Sequence, residues 1–137
     1  MRLISYLILV LLVCNCKGNG KAEQEVDKSV PERAALSKDS QIFLGNRLFS
    51  EKTCVTCHDI NKEKVGPSIK KIMQVYTEQN GDIVAFLKGE TKPIVDTKPR
   101  QVAIMQANID GFLKNISDEE LGAIATYMMH VDQLNPN

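Results

Sequence analysis

Three side chains within five residues are spaced to do chemistry together. Cys54-Val55-Thr56-Cys57-His58 sets two thiols three positions apart and an imidazole directly after them. Each thiol can add across a vinyl group of haem, and the histidine that follows is then placed to ligate the iron. The pentapeptide therefore reads as an attachment site for one c-type haem, held covalently by Cys54 and Cys57 with His58 as proximal ligand. A ligating imidazole needs an acceptor for its second ring nitrogen. Gly66-Pro67, a short way along the chain, is the candidate. Pro67 supplies a carbonyl without a competing N–H, and its ring stiffens the loop beneath the histidine.

The opposite face of the iron can take methionine, histidine or nothing. Met73, Met105, Met128 and Met129 all follow the motif. Met105 is the candidate sixth ligand, because it falls in a loop-like stretch after Pro99 with enough chain before it to pass around the ring. Met73 and Met128 sit at helical spacing, where methionine usually packs, and Met129 faces another way from Met128. His130 leaves a bis-histidine site open, against a capping role near a helix end. Cys54, Cys57, His58 and His130 also have the ligand types of a zinc site. A thioredoxin-like thiol pair would need a strand before the motif, and none is expected there.

The elements that must position these groups read as helices. Asp39 to Phe49 fits one, with Ile42, Gly45 and Phe49 on one side. Ser117-Asp118-Glu119-Glu120 is a capping box, and Leu121, Ile124, Ala125 and Met128 continue it as a helix over about 118–131. Ser68 to Val75 and Asp82 to Lys88 form two shorter helices, separated by Asn80-Gly81. Pro93 and Pro99 punctuate an extended segment. No stretch alternates like a strand, so the fold class is all-α.

The chain has 137 residues, and its 17 basic and 17 acidic side chains balance. That neutrality argues against nucleic acid as a partner. Arg2 followed by the apolar run Leu3 to Val13 reads as a secretory signal, too short to span a bilayer. Cys14 and Cys16 close that run, and a cysteine there resembles a bacterial lipoprotein signal, with Cys16 favoured as the lipidated residue. The domain reading is a signal segment over 1–16, a polar flexible tether over 17–36 and a folded unit over 37–134. With one cysteine pair spent on the signal, a disulfide framework is not expected.

Taken together, the chain resembles a small monohaem cytochrome c of the bacterial class I type over roughly 38–132. The resemblance rests on Cys54-Val55-Thr56-Cys57-His58, Val65-Gly66-Pro67-Ser68, Met105, and Ser117-Asp118-Glu119-Glu120-Leu121 with Ile124 and Tyr127. It implies a terminal-helix crossing in which Gly45 and Phe49 meet Ile124 and Tyr127. It also implies Pro67 as acceptor for the proximal histidine and Met105 as axial ligand. Gln106 departs from the proline that often follows that methionine. The function implied is electron transfer by an Fe(III)/Fe(II) haem rather than enzymatic catalysis, with no small-molecule substrate. Partners would be redox proteins such as a respiratory oxidase or reductase, reached from the extracytoplasmic or periplasmic face of a bacterial envelope through a lipid anchor in the membrane. Lys52, Lys62 and Lys64, with Lys70, Lys71, Lys98 and Arg100, are expected to form a basic ring for an acidic partner. The alternative is a sensor or small catalytic module with a labile sixth ligand, for which Gln106 is the sequence hint.

Overall fold

Side-chain caps set where most of the helices begin. A computed structural model describes residues 34–135; the expected signal segment and the expected tether up to residue 33 lie outside them. The elements in order are α1 (Lys38–Glu51), the single turn α2 (Cys54–Cys57), α3 (Ile69–Glu78), α4 (Ile83–Leu87), α5 (Pro99–Asp110), a 3-10 turn (Leu113–Asn115) and α6 (Asp118–Leu134). Ser37, Ser68 and Asp82 each accept a backbone N–H three residues on, at the starts of α1, α3 and α4. At α6 the capping box is complete: Ser117 Oγ accepts from the Glu120 N–H, and the Ser117 N–H donates to the Glu120 carboxylate. Among the described residues no strand forms, and one isolated bridge joins His58 and Glu63. The fold is all-α.

The crossing of α1 and α6 organises the core. A Cβ added at Gly45 would run into the carbonyl of Ala123 and come within 2.7 Å of the Tyr127 Cβ. Only glycine lets the two backbones approach this closely. One turn further on, Phe49 meets Tyr127 with ring centroids 5.7 Å apart and planes tilted by 55°. Such a pair contributes about 0.5–1.5 kcal/mol beyond its buried area. Leu121, Ile124, Ala125 and Met128 are all buried, as their spacing requires. Leu48, beside Phe49, joins the same core.

One expectation needs correction. The stretch around Met105 is not loop-like: α5 covers it. Pro99 is the first helical residue there, where a fixed φ favours the helix and the missing N–H costs nothing. Lys98 before it is extended, as a residue preceding proline tends to be. The Val102 N–H then donates to the Lys98 carbonyl at 3.0 Å, closing the first turn. Within α5 only Ile109 is buried by protein, because the apolar side of the helix faces a cavity.

Candidate haem-attachment site

The attachment motif is presented by a tight reversal between α1 and α2. Thr53 joins them in the left-handed region, at φ 62° and ψ 12°. For a β-branched residue that conformation is strained. Cys54 and Cys57 then fall at the two ends of the single turn α2, at i and i+3 on one face. Both thiols are free and half-buried. Burial raises the Cys54 pKa above the ordinary thiol value, and the neighbouring Cys57 adds to the rise. His58 keeps its N–H bonded to the Cys54 carbonyl at 2.9 Å, but its backbone swings to extended geometry.

The loop after the motif is pinned back onto it. The Gly66 N–H donates to the Cys57 carbonyl at 3.0 Å, and the Ile69 N–H to the Asp59 carbonyl at 2.9 Å. Asp59 accepts from the N–H groups of Asn61 and Lys62, which holds its carboxyl below the usual range. This folding brings the Pro67 carbonyl to 2.8 Å from His58 Nδ1. A carbonyl can only accept, so Nδ1 carries the proton and Nε2 keeps its lone pair for a metal. Gly66 makes room for the contact: a Cβ there would sit 2.5 Å from His58 Cε1 and 2.9 Å from Nδ1.

His58, both cysteines, Pro67 and Met105 line one cavity of about 450 Å³. The wall supplied by α5 includes Val102, Ile104 and Ile109, while Tyr76 and Phe86 come from α3 and α4, their centroids 6.4 Å apart. Burial, with help from Asp82, pushes the Tyr76 phenol up to about 12, so it stays neutral. The residues fit a haem: an apolar chamber of ligand-site size, two thiols at its edge and an oriented imidazole. Met128 also lines the cavity, while Met129 is largely exposed and Met73 is outside the lining. His130 is turned away, with Nδ1 2.7 Å from the Thr126 carbonyl of its own helix. Among the described residues no three His, Cys, Asp or Glu side chains are arranged to hold a metal, so the four-ligand zinc arrangement is not assembled. Sequence reading missed Tyr76, Phe86 and the α5 wall, which are separate apolar positions until the fold closes on them.

Two members of the expected basic ring are ion-paired. Lys64 lies 3.8 Å from the Asp59 carboxylate and donates to the Val55 carbonyl at 3.3 Å. Lys70 pairs with Asp132 at 3.0 Å, and the charge of Lys52 acts on Glu120. Lys64 is thus matched by an acid next to the motif, and Lys70 by one on α6.

A helical domain wrapped around a two-cysteine, one-histidine cavity defines a class of covalent haem carriers. The comparisons with known proteins agree, and the chain belongs to the cytochrome c family, whose profile matches residues 42–132. It is 40% identical over 48 residues to cytochrome c-551 of Pseudomonas denitrificans, a match covering 35% of this chain and 57% of that protein. It is 34% identical over 50 residues to cytochrome c-552 of Hydrogenobacter thermophilus, covering 36% of this chain and 50% of the relative. The chain thus spans about half the length of each curated relative it matches. The family carries one covalently attached haem c, and this chain is a small monohaem member of class I type.

Proposed function

We propose that this protein carries single electrons between redox proteins. In this reading His58 and Met105 would ligate the iron, and Cys54 and Cys57 would hold the ring. The observation that carries the reading is the 2.8 Å contact between His58 Nδ1 and the Pro67 carbonyl, with Met105 lining the same cavity. Haem, once attached, supplies the Fe(III)/Fe(II) couple. The chain fixes the proximal imidazole, excludes water with apolar walls and offers a thioether that favours ferrous iron and raises the potential. Were both ligands supplied by the chain, iron would have no open position for a substrate, and that favours electron transfer over catalysis or gas sensing.

Export and anchoring extend the same proposal. Residues 1–16 would direct export, Cys16 would carry the lipid, and residues 17–36 would tether a domain spanning 37–134 to the outer face of a bacterial membrane. Confinement near a membrane-bound oxidase or reductase raises the effective concentration of each for the other. The test is a redox titration of haem-loaded protein followed optically. A reversible one-electron curve that moves to a lower potential in Met105→Ala supports the reading. A curve unmoved by that change, or carbon monoxide binding to wild-type ferrous protein as readily as to the variant, would place the sixth position outside Met105.

A further inference from the structure

Helix α3 ends in a dipeptide that the haem site does not use, Asn80-Gly81. The backbone there closes a Schellman motif. The Gly81 N–H donates to the Tyr76 carbonyl at 2.9 Å, and the Asn80 N–H to the Thr77 carbonyl at 3.4 Å. Asn80 takes the left-handed position that glycine usually fills, at φ 51°; its short polar side chain tolerates that region better than most. Gly81 is seated against two side chains. A Cβ there would lie 2.7 Å from Ile94 Cδ1 and 2.8 Å from Tyr76 Cδ1, and both side chains belong to the chamber wall.

Asparagine followed by glycine carries an internal reaction, because no Cβ on the second residue shields its nitrogen. Both residues are exposed, so water and base reach them. Base removes the Gly81 amide proton, the nitrogen attacks Asn80 Cγ, the Cγ–NH2 bond breaks and ammonia leaves. Water then opens the cyclic imide at either carbonyl, giving aspartate or isoaspartate. One water is consumed for each ammonia released, and nothing is oxidised or reduced. The fold withholds the nucleophile. Its proton is engaged by the Tyr76 carbonyl, and the left-handed backbone sets the nitrogen across the Cα–C bond from the Asn80 side chain. Attack therefore requires the last turn of α3 to open.

We propose that Asn80 is a self-modifying site, whose conversion to aspartate or isoaspartate is held off by the closed end of α3 and proceeds when that end opens. The two products act differently on the chamber. Aspartate keeps the length of the main chain and tolerates the left-handed region. Isoaspartate routes the main chain through Cβ and Cγ, adding a methylene where Gly81 has no room for one. The Gly81–Tyr76 bond is then lost, and with it the seat that Gly81 gives to Tyr76 and Ile94. Asp82 follows directly, and its carboxylate caps α4 by accepting from the Ala85 N–H at 2.9 Å. The change thus reaches the helix that carries Phe86.

The experiment ages haem-loaded protein in warm, mildly alkaline buffer, folded or unfolded in guanidinium chloride. Trypsin releases residues 72–88, bounded by Lys71 and Lys88, with Asn80 as their one asparagine. Mass spectrometry follows the replacement of NH2 by OH in that peptide, and chromatography separates its aspartate and isoaspartate forms. The synthetic peptide 72–88, with and without denaturant, corrects for the solvent. The proposal expects Asn80 to convert at least about tenfold more slowly in folded than in unfolded protein, since only the opened end of α3 reacts. Isoaspartate protein recovered from the folded sample should unfold at a lower denaturant midpoint than Asn80→Asp, which should stay near wild type. No conversion in the unfolded chain would overturn the site. Equal corrected rates in folded and unfolded protein would overturn the gating by α3. An isoaspartate form as stable as Asn80→Asp would overturn the effect on the chamber wall.

Discussion

Gly66→Ala tests how the proximal histidine is held. The new Cβ would lie 2.5 Å from His58 Cε1, whereas ordinary contacts begin near 3.4 Å. Ring and loop must therefore part by about 1 Å, beyond what side-chain breathing absorbs in a packed site. Parting carries the 2.8 Å contact from His58 Nδ1 to the Pro67 carbonyl outside hydrogen-bond range. On the proposed ligation by His58, that bond would make the imidazole a stronger donor and so favour ferric iron. Since the bond is worth about 0.5–1.5 kcal/mol in all, its loss should raise the midpoint potential by at most about 20–65 mV. The assay is protein-film voltammetry of haem-loaded wild type and variant. Gly122→Ala is the control, since a Cβ there meets nothing within 4 Å; it should leave the potential unchanged. A potential in Gly66→Ala indistinguishable from wild type would refute the argument that this glycine and the Pro67 carbonyl set the histidine.

Other consequences follow from the same geometry. Gly45→Val drives a branched side chain into the Ala123 carbonyl and should lower stability by roughly 1–3 kcal/mol or more, read as a fall in urea midpoint. Thr53→Gly relieves a left-handed β-branched residue and should stabilise the protein by about 1 kcal/mol, measured the same way. Ser117→Ala removes the α6 cap and should cost about 1 kcal/mol. The Glu120 carboxyl is held below its ordinary value by hydrogen bonds from the Ser117 backbone and hydroxyl. Its contribution is therefore full above the unfolded value and lost as pH falls through the lower folded one. Denaturation curves of wild type and Glu120→Gln should differ at pH 7 and converge in acid; a constant gap would contradict the pairing.

What the sequence disclosed was mostly local or close to pairwise. The thiol–thiol–imidazole spacing, the Ser117–Glu120 box and the stripe from Leu121 to Met128 depend on neighbours along one turn, so their chemistry survives without the fold. Gly45 and Phe49 were legible through a family pattern, and the crossing with Ala123 and Tyr127 supplies its physical reason. The helix α5 was hidden because its apolar side packs towards the haem chamber and only Ile109 is covered by protein. Two prolines also made its start look like a break. Thr53 gave no signal, since its left-handed turn is imposed by joining α1 to α2 rather than chosen by its side chain. The lysines near the motif read as a basic ring because Asp132 reaches Lys70 only once α6 has packed.

The central claim is that His58 and Met105 ligate one covalently held haem. The most direct measurement is the optical spectrum of ferric protein produced with haem-c maturation machinery, for wild type and Met105→Leu. The account predicts a low-spin spectrum in wild type with a methionine-to-ferric charge-transfer band that is absent from the variant. A high-spin wild-type spectrum, or a band that survives the loss of Met105, would contradict it.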